Sequence, residues 1–378
     1  MTSPSLGVHT VDAATHAAHL RTLPAASFLQ TPAWGRVKAD WRTESLGWFD
    51  GDRLVGVGLV LHRSLPKIGR TLAYLPEGPV IDWAGAAESG GLAAWLDPMV
   101  EHLKARKAFA VRMGPPVAVR RWEAATVKAA IADPVLDRLG DVPADSTDER
   151  GTAVVEHLRA TGWRPQAAAG GGFTAGQPQY VFQVPMADRD EDALLKAMNQ
   201  QWRRNIKKAA KEGVAVRVGG RDDLAAFHTL YAETAERDGF TPRPLAYFQL
   251  MWDALTAEDP DRLRLYLGEH EGDLVAATTL VQVGEHAWYS YGASSTAKRE
   301  VRGSNAVQWQ MMRAARDAGA TVYDLRGITD TLDADDPHVG LVQFKVGTGG
   351  QAVEYAGEWD LPLNPLLYRA FDLYLRRR

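Results

Sequence analysis

The sequence predicts a mixed α/β fold (α/β or α+β) that is built from two similar halves. The first observation is a tight turn followed by an apolar strand, which occurs twice, at residues 50–60 and 271–281. The second is that a strand, a helix and another strand then follow in the same order in both halves. Such alternation is typical of proteins with mixed sheets rather than of helical bundles. A chance similarity between two β-turn-β patterns is the alternative to an internal repeat.

The other elements of the two halves are predicted from runs of apolar and β-branched residues. Strands flank the two turns, and their predicted positions are 45–49 and 71–75 in the first half and 264–268 and 287–291 in the second. A helix and a closing strand follow in each half, and they are predicted at 91–106 and 108–113 and at 305–318 and 321–325. Gly319 lies just after the second helix, where a helix C-cap favours a residue that tolerates positive φ.

One long helix is predicted over residues 188–212. Acidic residues in its first turns and basic residues in its last turns complement the helix dipole. Apolar residues recur at spacings of three and four, which is the period of one helix face. The basic residues are Arg203, Arg204, Lys207, Lys208 and Lys211. They form either a solvated charged face or a contact surface for a polyanion.

The length of 378 residues predicts about two domains. We predict domain 1 over 1–178 and domain 2 over 179–356, because residues 167–178 are rich in alanine and glycine and end in proline. The segment 357–378 contains an amphipathic run at 366–375, and we expect it to join domain 1 as a closing helix.

Composition excludes several classes of function. The chain has no cysteine, and its 10 histidines lack metal-ligand spacing, so we expect no metal site. Neither a Walker A loop nor a Gly-x-Ser-x-Gly elbow is present. The net charge of −4 argues against nonspecific nucleic-acid binding, and we expect no DNA partner. Without a recognisable secretion signal or membrane-spanning run, the expected location is the cytoplasm.

Three sequence clusters carry the candidate chemistry. The first runs over residues 27–38, where Thr31 and Pro32 predict the start of a helix and Lys38 follows a Trp-Gly pair. The second runs over residues 240–248 and the third over residues 340–350, which contain a Phe-Lys pair. A Tyr-Gly-Ala-Ser segment begins at residue 291.

Taken together, these clusters resemble the FemABX peptidyltransferases, and in particular the compact FemX type, over residues 27–368. The resemblance implies two GNAT-like (acyl-CoA N-acyltransferase-like) domains with mixed sheets. It implies no coiled-coil arm, because only a short stretch separates Val218 from Phe240. It also implies transfer of an amino acid from aminoacyl-tRNA to the side-chain amine of the third residue of a peptidoglycan precursor stem peptide, which builds the interpeptide bridge. We expect glycine as that amino acid.

The resemblance assigns roles to individual residues. It implies Lys345 as the catalytic residue, and it implies substrate-binding roles for Lys38, Arg243, Tyr247, Tyr291 and Phe344. The acceptor would be lipid II or UDP-MurNAc-pentapeptide, whose phosphates suit Lys38 and Arg243. Aminoacyl-tRNA would be a co-substrate, and no cofactor is expected. By charge alone, the five bases of residues 203–211 would contact tRNA phosphates.

Physical chemistry supports this mechanism without a covalent enzyme intermediate. An aminoacyl-tRNA ester is already activated, so the acceptor amine can attack it directly. A preorganised cation would stabilise the negative charge that develops on the carbonyl oxygen, and Lys345 is our candidate. One departure from the family pattern is Gly114, which precedes Pro115 where relatives often carry an Asp-Pro pair. An acid at that position therefore cannot be the base in this chain.

Several alternatives stay open at this point. Lys345 could be a surface lysine at a strand end, and Tyr247 and Tyr291 could be core aromatic residues. The chain could instead be a coenzyme A-dependent N-acyltransferase of the GNAT fold, or a tRNA-dependent peptide-bond-forming enzyme of specialised metabolism. A silent binding protein is a third class. A lipid-linked acceptor would place the protein at the inner face of the plasma membrane as a peripheral protein.

Overall fold

The computed structural model describes residues 6–65, 68–166, 176–333, 335–336 and 338–376. The strands are, in chain order, β1 (Gly7–Val11), β2 (Arg42–Asp50), β3 (Arg53–Ser64), β4 (Thr71–Leu75), β5 (Ala108–Met113), β6 (Ala118–Glu123), β7 (Ser146–Thr147), β8 (Arg164–Pro165), β9 (Tyr180–Pro185), β10 (Ala215–Gly219), β11 (Leu263–His270), β12 (Asp273–Val283), β13 (His286–Ser294), β14 (Val322–Gly327), β15 (Gln351–Tyr355) and β16 (Trp359–Pro362).

The helices connect these strands. They are α1 (Ala13–Leu20), α2 (Pro32–Val37), α3 (Trp83–Glu88), α4 (Leu92–Ala105), α5 (Ala124–Ile131), α6 (Glu149–Ala160), α7 (Glu191–Ala197), α8 (Gln200–Lys211), α9 (Leu224–Asp238), α10 (Leu245–Glu258), α11 (Gly303–Asp317), α12 (Val339–Val346) and α13 (Pro365–Arg376). Among the described residues, no helix combines the length and the apolar character that crossing a membrane requires.

The chain forms two compact units. Unit 1 consists of Met1–Arg121, Ala144–Tyr180 and Val353–Arg378, and unit 2 consists of Trp122–Pro143 and Val181–Ala352. The division differs from our predicted domains mainly at residues 122–143, which belong to unit 2, and also at residues 179–180 and 353–356, which belong to unit 1. Most of the predicted linker, residues 167–175, lies outside the described residues.

Unit 1 is built on one mixed sheet. Its strand order is β1-β2-β3-β4-β5-β16-β8, and β4 and β5 are parallel whereas their outer neighbours are antiparallel. Trp48, Met99 and Trp359 are fully buried in the main core of this unit. The helix predicted after Thr31 is confirmed as α2, because Thr31 accepts a hydrogen bond from the Trp34 amide and Pro32 occupies the first turn.

Unit 2 repeats this plan. Six of its strands are hydrogen-bonded in the order β10-β11-β12-β13-β14-β9, with β13 and β14 as the parallel pair. Phe227, Tyr231 and Phe248 form the centre of a buried cluster between α9, α10 and the sheet. The shared order of turn, strand, strand, helix and strand in the two units matches the internal repeat expected from the sequence.

The single helix predicted over 188–212 is wrong in one respect, because the structure divides it into α7 and α8. The break lies at Met198, whose ψ of 147° is extended. Asn199 then begins α8 by accepting a hydrogen bond from the Trp202 amide. An asparagine side chain that can cap a new helix competes with continuation of the old one, and here the cap prevails.

Candidate functional site

Lys345 is a charged residue that is buried in unit 2. It lies on α12, and only 3% of its surface is exposed. Its Nζ atom donates hydrogen bonds to the carbonyl oxygens of Gly327, at 2.6 Å, and of Arg326, at 3.5 Å. The alternative that Lys345 is a surface lysine at a strand end is therefore wrong, because the residue is helical and buried.

The surroundings of Lys345 change its acid–base behaviour. The pKa of Lys345 is lowered to about 7, and burial is the largest cause. The negative charge of Asp324 opposes this shift, and the positive charge of Arg326 adds to it. The two carbonyl acceptors are neutral, so they do not stabilise the charged ammonium as well as bulk water does. Lys345 can therefore lose its proton near neutral pH, where an exposed lysine stays protonated.

The end of β14 presents the carbonyl groups that hold Lys345. Arg326 has a φ of 63°, in the left-handed region that residues with a side chain rarely adopt. Its amide donates a hydrogen bond of 2.6 Å to Asp324, which stabilises this bend. Backbone strain of this kind is typical of functional sites, and here it lies directly beside Lys345.

Asp324 is a buried carboxylate on β14. Its Oδ2 atom accepts a hydrogen bond of 2.9 Å from Gln183 and lies 3.3 Å from Nε2 of His286. Burial raises the pKa of Asp324, but the contact with His286 and the nearby positive charges outweigh burial and leave the pKa below its usual value. Asp324 therefore supplies a fixed negative charge behind Lys345.

Phe344 fixes the helix that carries Lys345. Its carbonyl oxygen accepts a hydrogen bond of 2.8 Å from the Trp202 indole, and the two rings lie 4.8 Å apart. Gly347 follows, and a Cβ atom there would lie 2.2 Å from Trp202. Gly349 has a φ of 75°, and a Cβ atom there would lie 2.0 Å from the Ala197 carbonyl oxygen. The glycines after the Phe-Lys pair thus allow α12 to pack closely on α7 and α8.

The second predicted cluster forms a group of aromatic residues in unit 2. The hydroxyl oxygens of Tyr247 and Tyr291 lie 3.1 Å apart, and the guanidinium carbon of Arg243 lies 4.9 Å above the Tyr247 ring. Burial raises the pKa of Tyr247 well above its usual value, and the neighbouring Tyr291 adds to the shift. Arg243 itself is exposed. The structure thus brings together three of the predicted substrate-binding residues.

The cluster and Lys345 are associated with two neighbouring parallel strands, because Tyr291 lies on β13 and Lys345 donates to Gly327 of β14. The two strands are hydrogen-bonded only over His286–Trp288 and Val322–Asp324. Tyr291 comes three residues after the last pair on β13, and Gly327 comes three residues after it on β14. Both the tyrosine pair and the acceptor of Lys345 thus belong to the segments where the two strands are no longer paired.

Lys38 is the predicted site residue that belongs to unit 1. It ends α2, where its amide donates to the Trp34 carbonyl oxygen at 3.1 Å. Its Nζ atom lies 4.9 Å from the centre of the Trp34 ring. The Trp-Gly motif before Lys38 therefore holds the ammonium by a cation–π contact.

The five predicted tRNA-binding bases lie on α8, but they are not equivalent. Arg203 donates hydrogen bonds to the carbonyl oxygens of Lys196 and Met198 at the end of α7, so it stabilises the break between the helices. The remaining bases are exposed or half-exposed, and they are Arg204, Lys207, Lys208 and Lys211. Their role in binding RNA stays a prediction.

Unit 1 contains a second buried polar cluster, beside Gly114. A pocket there is lined in part by Glu77, Gly114 and Glu358. Tyr74 donates a hydrogen bond to Glu358, whose pKa is raised by burial. Gly114 has no side chain, and a Cβ atom added there would lie 3.3 Å from the Glu358 side chain. The glycine that departs from the family pattern is thus next to a buried acid.

Sequence reasoning missed Asp324, Gln183 and Trp202 as contributors to the site. An aspartate within the apolar run of β14 was the available signal, since an unpaired charge is rarely buried. His286 stacks on Trp288, with the two ring centres 4.1 Å apart, and contacts Asp324. Among the described residues, no group of three acidic or histidine side chains could hold a metal ion.

Comparison with known proteins identifies similar chains. A model of the FemAB family matches residues 11–260 and 262–376. A lipid II:glycine glycyltransferase of Staphylococcus aureus (strain MRSA252) is 26% identical over 429 aligned positions, which cover 94% of this chain and 93% of that protein. The protein of the same name from strain USA300 is equally similar. The resemblance inferred from the sequence motifs is thereby confirmed.

Solved structures confirm the predicted fold. A crystal structure of FemX covers 96% of this chain and 99% of its own, with a TM-score of 0.79 and 24% identity. A tandem GNAT protein from the clavulanic acid biosynthesis pathway covers 95% of this chain and 98% of its own, with a TM-score of 0.51 and 12% identity. Between Val218 and Phe240 this chain has α9, of 15 residues, in place of a long helical arm.

Proposed function

The chain belongs to the FemAB family, and from this premise we propose that it is an aminoacyltransferase of peptidoglycan synthesis. The proposed reaction transfers glycine from aminoacyl-tRNA to the side-chain amine of the third residue of a precursor stem peptide. Lipid II is the proposed acceptor, because the similar proteins of Staphylococcus aureus carry that substrate in their names. The product would be the first part of an interpeptide bridge or an extension of it.

The observation that carries this proposal is the buried position of Lys345 beside an unpaired section of two parallel strands. Two of the three protons of an ammonium here point at backbone carbonyl groups, which leaves one for a substrate oxygen. The surrounding protein excludes water, so this donor has a stronger electrostatic effect than an exposed lysine would have.

The proposed reaction proceeds by direct attack. The neutral acceptor amine forms a C–N bond to the ester carbonyl carbon of the aminoacyl-tRNA, and the carbonyl oxygen becomes negative. Lys345 stabilises that oxygen as a hydrogen-bond donor. The C–O bond to the tRNA ribose then breaks, the ribose hydroxyl takes a proton, and the amine loses one. No redox partner or covalent enzyme intermediate is needed.

The other predicted residues suit the remaining parts of the substrates. Arg243 and Lys38 are cations, each held against an aromatic ring, and each fits a phosphate of the acceptor. The hydroxyl groups of Tyr247 and Tyr291 lie 3.1 Å apart, and each is of the type that hydrogen-bonds to a phosphate oxygen. The exposed bases of α8 are proposed to contact tRNA phosphates. We place the protein at the inner face of the plasma membrane, where a lipid-linked acceptor is found.

A transfer assay tests the proposal. The purified protein is incubated with charged, labelled aminoacyl-tRNAs, and the acceptor is either lipid II in detergent or UDP-MurNAc-pentapeptide. We expect label to move from glycyl-tRNA to lipid II, and the site of attachment is read by mass spectrometry. A parallel reaction contains acetyl-coenzyme A in place of tRNA. Acetylation of an amine without transfer from any tRNA would overturn the proposed function and favour a GNAT-type acyltransferase.

A further inference from the structure

The last helix and one turn of unit 1 share a small apolar core. Tyr368 and Phe371 of α13 pack with Leu72 and Phe109 in this core, and Leu65 of the turn between β3 and β4 packs against it. The turn is closed by a hydrogen bond of 2.9 Å from the Leu65 amide to the Arg70 carbonyl oxygen. We call the outer surface of these two elements the α13 patch. It consists of Ile68, Arg70, Leu366, Arg369 and Leu373.

The α13 patch exposes large apolar side chains. The exposed fractions are 78% for Leu366, 56% for Leu373 and 50% for Ile68. Leu366 and Leu373 are seven residues apart, so they lie on one face of the helix, opposite Tyr368 and Phe371. Leu366 and Leu373 thus form an exposed apolar stripe on α13, and a contiguous apolar surface of this kind is typical of an interaction site.

In sequence, the two segments that carry these apolar residues are predominantly basic. Residues 63–70 contain three bases and no acid, and residues 365–378 contain four bases and one acid, Asp372. The whole chain, in contrast, has a net charge of −4. A helix that combines an exposed apolar face with basic residues is typical of segments that lie in the interface of an anionic membrane.

We propose that the α13 patch docks unit 1 on the surface of an anionic lipid bilayer. Leu366, Leu373 and Ile68 enter the boundary between headgroups and acyl chains, and Arg369 and Arg70 contact lipid phosphates. Only the role of this docking rests on the proposed function: it would hold the protein where a lipid-linked acceptor lies. The docking itself needs neither acceptor nor tRNA.

Vesicle sedimentation tests the docking without substrates. The full chain is mixed with vesicles of phosphatidylcholine alone or with 30% phosphatidylglycerol, a composition chosen because anionic lipid attracts basic helices. We expect binding to the anionic vesicles that weakens as salt rises. The double variant Leu366→Ser/Leu373→Ser should bind them at least about tenfold more weakly, because it loses two apolar insertions without a change of charge.

Two further variants make the test specific. Ile68→Ser lies on the other element of the α13 patch and should weaken binding on its own. Val135→Ser is the matched control, because Val135 is 83% exposed but belongs to unit 2 and is not part of the α13 patch. Equal binding of all four proteins to vesicles would overturn the proposal. The proposal would also be overturned if the wild-type protein were a dimer in sedimentation velocity and the double variant a monomer, since the patch would then bind a second copy.

A transfer assay separates this inference from the proposed function. With UDP-MurNAc-pentapeptide, which is soluble, the double variant should retain wild-type turnover. With lipid II in anionic vesicles, it should lose activity in proportion to its lost binding. Normal vesicle binding by a wild-type protein that transfers no amino acid would contradict the proposed function but leave the docking surface in place.

Discussion

Two cations that are largely shielded from water, Arg112 and Lys345, have opposite surroundings. In unit 1, the guanidinium of Arg112 forms two hydrogen bonds, of 2.7 and 2.8 Å, with Asp360. In unit 2, the ammonium of Lys345 is held by two neutral carbonyl groups, and Asp324 acts on it only through its charge. Burial by itself lowers the pKa of Arg112, but Asp360 outweighs it and raises the pKa above its usual value. For Lys345 burial prevails.

The difference shows how burial of a charge serves either structure or chemistry. A cation that is paired directly with a carboxylate keeps its proton at any physiological pH, so it can only hold the fold together. A cation that is paired with carbonyl groups loses much of the stabilisation that water gave it. Its proton becomes exchangeable near pH 7, which is the property that a catalytic group needs.

The direct pair should give the largest effect when it is broken. Arg112→Met leaves Asp360 buried without its cation, and we expect a loss of about 3–5 kcal/mol in the free energy of unfolding. Urea denaturation followed by circular dichroism measures this loss. Arg150→Met is the matched control, because Arg150 and its partner Glu88 are both 56% exposed, and it should cost less than about 1 kcal/mol. Similar losses in both variants would remove the distinction between the two pairs.

Lys345 should respond in the opposite way, with lost activity and a retained fold. Lys345→Met removes the proposed oxyanion donor, and we expect the transfer rate to fall by about 10²–10³-fold. Single-turnover transfer from glycyl-tRNA measures the rate, and circular dichroism checks the fold. Lys128→Met, on the exposed face of α5, should behave as wild type. Normal turnover of Lys345→Met would exclude this lysine from the mechanism.

Arg243 extends the comparison of Arg112 and Lys345 to a cation that is exposed to solvent. Arg243→Ala should weaken binding of the soluble precursor by about 10–100-fold, because a charge-assisted hydrogen bond to phosphate is lost. Binding of tRNA should change little. Isothermal titration with each ligand separates the two effects. Equal losses for both ligands would contradict the assignment of Arg243 to the acceptor phosphates.

The smallest expected effect concerns the charge behind Lys345. Asp324 favours the protonated form of Lys345, so Asp324→Asn should lower the pKa of Lys345 below about 7. The rate should rise with pH as the acceptor amine loses its proton and fall as Lys345 loses its own. In the variant the descending limb should move to lower pH. A pH–rate profile measures this, and an unmoved limb would show that Asp324 does not tune Lys345.

The sequence contained most of the fold but only part of the site. Strands β4 and β5 lie where the apolar runs predicted them, and the predicted helix at 366–375 appears as α13 with little change. Motif resemblance found Lys345, Arg243 and the two tyrosines. It could not show that Lys345 is buried, because burial depends on how α12 packs on the end of β14, and neither the motif nor the periodicity contains that tertiary contact. Nor could helix periodicity show the break at Met198, since the apolar stripe continues across it.

The place of β16 in the sheet has a consequence for how the protein is made. This strand lies between β5 and β8, and it brings Asp360 to Arg112 although the two are 248 positions apart in sequence. Translation delivers β5 long before β16, so the ribosome holds an unfinished sheet with an open edge while unit 2 emerges in full. Such edges recruit foreign strands until they are covered. The first part of the chain to leave the ribosome is therefore the last to become a finished structure.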